Sequence, residues 1–125
     1  MRRLILWVIA ILTLGNGAFM VLAPEAWWSA VPGVQETGAF NAHFVRDVGA
    51  AYLAAGLGIG WFALRAAERA AAIVGLVFLG LHAVFHLIEF GYGHGGGMAA
   101  VLGVIAPALI AALAVLWPRS VTGEA

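Results

Sequence analysis

The chain has 125 residues, of which 64% are hydrophobic and 10% charged, and its mean hydropathy is +1.03. A soluble domain is roughly half apolar and a quarter charged, so this composition belongs to an integral membrane protein of a single domain. Zero formal net charge without a basic run excludes nucleic acid as a partner, and the lack of cysteine and lysine excludes disulfides, iron–sulfur clusters, thiol chemistry and Schiff bases.

Four apolar segments run over about 4–22, 42–64, 70–90 and 98–117, each near the ~20 residues a spanning helix needs. None alternates with period two, so the expected fold is all-α: a bundle of four transmembrane helices forming one domain over residues 1–125. The first segment, "MRRLILWVIAILTL", also resembles a signal peptide. Pro24 directly follows the candidate cleavage site "VLA", which is unfavourable, and the segment is read as a retained helix.

Next comes "APEAWWSAVPGVQETGAFN". Pro24 and Glu25 suit a helix start, and Trp27 and Trp28 suit the membrane interface. A short interfacial helix is expected over 24–31, ended near Pro32-Gly33; a plain anchoring loop fits the same residues. Asn41 is the expected N-cap of the second spanning helix. That helix carries Gly56 and Gly60 at GxxxG spacing, which favours close packing within the chain over a dimer contact, although a homo-oligomer or another membrane protein stays open as a partner. The third segment leads into the glycine-rich "GYGHGGGM", whose His94 is read as solvated. Pro107 is expected to kink the fourth segment.

Arginine sets the expected orientation. Arg2, Arg3, Arg65, Arg69 and Arg119 flank one side, and the loops at 23–41 and 91–97 hold no Lys or Arg. By the positive-inside rule both termini are cytoplasmic.

Only Arg46 stands on the other side, and it belongs to a polar cluster. His43, Arg46 and Asp47 lie near the start of the second helix. His82, His86 and Glu89 lie at spacings of four and three in "LHAVFHLIEF", on one face of the third. Depth matching of antiparallel helices puts His43 with Glu89, and Arg46 and Asp47 with His86, while His82 falls opposite Ala50 and Ala51. Ionisable residues inside a membrane mark functional sites by default.

Three chemistries fit. A transition metal (Zn, Fe, Cu or Mn) would take His82 and His86 as ligands, completed by Asp47, His43 or Glu89. A b-type haem would need histidines on both helices, with Arg46 meeting a propionate. A metal-free pocket would handle protons or hold a lipid or quinone headgroup through Arg46. An Arg46–Asp47 or Arg46–Glu89 ion pair is expected if Arg46 points inward. Ser29 and Ser120 lie outside the cluster, against a serine nucleophile. A purely structural network in an accessory subunit is the remaining reading.

The stretches "HFVRDVGAAYLAAGLGIG" and "FLGLHAVFHLIEF", about a third of the chain, resemble small bacterial four-helix membrane proteins of the DoxX-like and domain-of-unknown-function type. The resemblance implies a bundle in the bacterial inner membrane and marks His43, Arg46, Asp47, Gly49, Tyr52, His82 and His86. It supplies no reaction. Arg46 and Tyr52 are the expected cofactor-binding residues; His82, His86, Asp47, His43 and Glu89 are the expected metal ligands. The expected function is metal or haem binding on the periplasmic side, with the metal-free pocket as the alternative.

Overall fold

Local chemistry sets where the helices begin. Pro24 sits at the first position of a short helix with Glu25 beside it, and the Asn41 side-chain oxygen accepts the backbone N–H groups of His43 and Phe44 at 3.0 and 3.1 Å. The computed structural model describes residues 1–93 and 97–118, so His94, Arg119 and Ser120 lie outside the described residues. In chain order it contains α1 (Arg2–Leu22), α2 (Pro24–Ala30), a 3-10 helix (Val34–Thr37), α3 (Ala42–Leu64), α4 (Arg69–Gly91), α5 (Gly97–Ala100), a π-helical segment (Val101–Ile105) and α6 (Ala106–Leu116). The described residues contain no strand.

Helices α1, α3 and α4 are each long and apolar enough to cross a membrane. The expected fourth helix over 98–117 is not one regular element. Helical backbone runs from Gly97 to Leu116, but its winding changes from α to π and back to α. The cause lies at Pro107, which has no N–H for the carbonyl four residues earlier, on Gly103. The wider π winding directly before it absorbs the mismatch.

Helix α3 is held between α1 and α4 by small residues on two of its faces. Toward α1, a Cβ added to Gly17 would lie 2.7 Å from the Gly49 carbonyl oxygen, and one on Gly49 would lie 2.7 Å from Met20 Cβ. Gly56 of the GxxxG pair meets Leu14 of α1, so the motif serves packing within the chain. Toward α4, Gly58 abuts the Ala71 carbonyl, and a Cβ on Gly75 would come within 2.7 Å of the Ala55 carbonyl. The apolar core runs from Leu6, Phe62, Ala72, Ala111 and Val115 at the end of the bundle that holds the N-terminus through Ile59 to Leu79 and Ala83 of α4. Apolar side chains such as Leu12, Val77, Leu81 and Phe85 are exposed on the outside, which is compatible with a lipid-facing surface.

At the same end, two arginines close the C-terminus of α6. Arg2 Nε donates to the Ala114 carbonyl at 2.8 Å, and its guanidinium lies 5.1 Å from the centre of the Phe62 ring. Arg69 donates from Nε to Val115 and from Nη2 to Leu116, both at 3.0 Å. These are last-turn carbonyls with no partner inside the helix.

Four outcomes are expected in equilibrium unfolding of the protein in detergent micelles. Gly17→Ala should lose ~1–3 kcal/mol, because the methyl meets backbone rather than a movable side chain. Gly15→Ala, where a Cβ has nothing within 4 Å, should be neutral or slightly stabilising. Arg69→Met should cost about 1–3 kcal/mol by releasing two carbonyls, whereas Arg65→Met, at an exposed position, should cost little.

Candidate functional site

Residues nine apart in an α-helix are about two and a half turns apart and lie on opposite faces. This geometry disperses the polar residues of α3. Tyr52 packs on α4 through Phe78 and His82, and His43 stands nine positions before it. Ala55 meets Gly75 of α4, and Arg46 stands nine before it. Gly56 meets Leu14 of α1, and Asp47 stands nine before that. The residues that bind α3 to its neighbours therefore turn His43 and Arg46 away from α4 and Asp47 away from α1.

The contacts agree. His43 Nε2 and Asp47 Oδ2 approach to 3.2 Å, with side chains 88% and 66% exposed on the outside of the bundle. Arg46 leans toward α1, and its Nε donates to the Val21 carbonyl at 3.3 Å. That carbonyl belongs to the last turn of α1, where a cation also meets the negative end of the helix dipole. Neither expected ion pair of Arg46, with Asp47 or with Glu89, forms; among the described residues Arg46 has no acidic partner.

The face of α4 is a separate feature. The His82 ring stacks on Phe78 at 5.7 Å, meets Tyr52 edge-on at 5.5 Å and meets His86 edge-on at 4.7 Å. His82 lies one residue further along α3 than expected, against Tyr52 rather than Ala51. Neither His82 nor the Tyr52 hydroxyl has a hydrogen bond among the described residues, and His86 Nδ1 is buried without a partner. Glu89 follows on the same helix, half-buried.

The expected ligand set of His82, His86, Asp47, His43 and Glu89 is therefore not brought together. Among the described residues no group of three His, Cys, Asp or Glu side chains could hold a metal ion. The two-helix histidine pair expected for haem does not face itself either, because His43 lies outside the bundle against Asp47. Polar residues at one depth do not share one face here, and their nine-residue spacing to the packing residues is the signal of it.

What the structure does assemble is a groove. An open cavity of about 550 Å³ lies between the link from α1, helix α2 and the start of α3. Ala23, Pro24, Ala26 and Phe40 give it apolar walls, and the oppositely charged residues Glu25 and Arg46 are among those that line it. Trp27 secures α2 from behind: its Nε1 donates to Asn16 Oδ1 of α1 at 2.9 Å. Asn16 is not among the residues expected above, although a lone amide in an apolar run is itself a sign of a helix contact. No protein-family model, curated protein or solved structure matches the chain.

Chelation should leave the thermal unfolding midpoint of the purified protein unchanged, since the described side chains converge on no metal position. A fall on adding EDTA, restored by one divalent metal, would show that a site had been missed. His43→Ala should likewise leave the midpoint in place, as an exposed ion pair contributes little.

Proposed function

We propose that the protein spans a bacterial inner membrane four times, with both termini in the cytoplasm, and binds the headgroup of an amphipathic ligand at its periplasmic end through Arg46. The orientation rests on Arg2, Arg3, Arg65 and Arg69 lying at the end opposite the groove, and the location on the resemblance of its two motif stretches to bacterial membrane proteins. The function rests on a single observation. Arg46 borders an apolar groove with its Nε fixed by the Val21 carbonyl and its terminal amino groups without a protein partner among the described residues. A guanidinium held in that way offers a planar, two-pronged donor to a phosphate or carboxylate. The apolar walls and the exposed apolar flank of the bundle suit the greasy remainder of a lipid.

The test is retention of anionic or zwitterionic lipid by the detergent-purified protein, read by native mass spectrometry. Arg46→Gln should lower retention about tenfold or more, since a hydrogen bond to a charged group is worth about 1.5–3 kcal/mol. Arg46→Lys should recover only part of it, because an ammonium lacks the fork. Unchanged retention in Arg46→Gln would end this reading.

A second reading belongs to the α4 face, where the buried, unpartnered Nδ1 of His86 beside His82 and Tyr52 favours a metal-free proton-handling or ring-binding surface. A soluble quinone should then shift the imidazole nitrogen resonances of labelled His82 and His86; no shift would dismiss a ring ligand there.

A further inference from the structure

We infer that the groove selects a zwitterionic headgroup, a phosphate ester carrying a primary ammonium, with Arg46 on the phosphate and Glu25 on the ammonium. This rests on the groove being a headgroup site at all, and it adds the class of headgroup.

Glu25 and Arg46 come from different elements, α2 and α3, and border the same cavity. They do not pair with each other, and among the described residues neither has another ion-pair partner. Two unneutralised opposite charges beside one apolar space form a dipolar recognition site. A purely anionic headgroup on Arg46 would leave Glu25 as a like charge nearby; a purely cationic one would meet Arg46. A zwitterion with its charges separated by a short linker satisfies both.

The positions are also held. Arg46 is fixed at Nε by the last turn of α1, and α2 is fixed by the Trp27–Asn16 hydrogen bond. Ser29 lines the groove as well, but its hydroxyl already donates to the Glu25 main-chain carbonyl at 2.9 Å. The Glu25 carboxylate is thus the strong acceptor available to a cation. Its chemistry favours a primary ammonium, which brings three N–H donors, over a quaternary one. Quaternary ammonium groups are recognised by cages of several aromatic rings, and Phe40 is the sole aromatic residue lining the cavity among the described residues.

The experiment uses the full chain in detergent, offered equimolar phosphatidylethanolamine, phosphatidylglycerol and phosphatidylcholine, with retained lipid read by native mass spectrometry. The wild type should retain phosphatidylethanolamine over the other two. Glu25→Gln should lower the ethanolamine-to-glycerol ratio about tenfold, the loss of one charge-assisted contact, without lowering phosphatidylglycerol retention. Arg46→Gln should lower all three. Soluble glycerophosphoethanolamine should displace lipid from the wild type better than glycerophosphocholine, a measurement that needs no variant to fold. A wild type that prefers phosphatidylglycerol or phosphatidylcholine, or an ethanolamine preference unchanged in Glu25→Gln, overturns the assignment of Glu25. The headgroup reading itself survives that result if Arg46→Gln still lowers retention, and falls with it if retention is unchanged.

Discussion

The close approach of α1 to α3 at Gly17 and Gly49 is the constraint on which the rest of the structure depends. Between helices as apolar as these on all sides, contact depends on backbones that can approach closely. Here the carbonyl of Gly49 sits where a Gly17 side chain would begin. Because α3 must present Gly49 and Gly56 to α1 and Ala55 and Gly58 to α4, the arcs left over carry His43, Arg46 and Asp47. The polar pattern of α3 follows from its packing, and so does the separation of its cluster from the histidines of α4.

Arginine plays one structural part throughout the bundle. Arg2, Arg46 and Arg69 each donate to carbonyls in the last turn of a neighbouring helix, and none of them forms an ion pair with an acid among the described residues. The last-turn carbonyls of a helix lack a partner within it, and a cation also suits the dipole there. The three differ in what is left over. Arg69 uses both Nε and an amino group; Arg2 and Arg46 each donate from Nε, but Arg2 lies against Phe62 with a buried Nη2, whereas Arg46 is exposed and opens onto a cavity. The same interaction that closes helix ends elsewhere holds a donor ready at the groove.

The two ends of the bundle are built differently. The core begins with Leu6, Phe62, Ala72, Ala111 and Val115 at the end with the N-terminus, where the arginine clamp on α6 also lies, and extends to Leu79 and Ala83 of α4. The other end carries the groove and the His82–His86 face. Since Arg69 bonds to Val115 and Leu116, and the chains run antiparallel, the π-helical segment packs on α4 near the level of His82. Irregular winding and unpartnered imidazoles thus fall at one depth.

Much was legible in the sequence because hydropathy and helix signals are local. The apolar runs located α1, α3 and α4 to within two residues, and Asn41 and Pro24 announced the helices they start. Pro107 marked where the last segment changes its winding. Depth was legible too, since rise per residue is fixed. What the sequence alone could not decide was azimuth, the direction each face takes. A residue's face is defined only relative to the neighbours its helix selects, and those neighbours are chosen by glycine contacts between segments distant in the chain. Tertiary structure therefore decided that His43 and Asp47 point outward, that His82 and His86 stand apart from them, and that Glu25 and Arg46, twenty-one residues apart, border one groove.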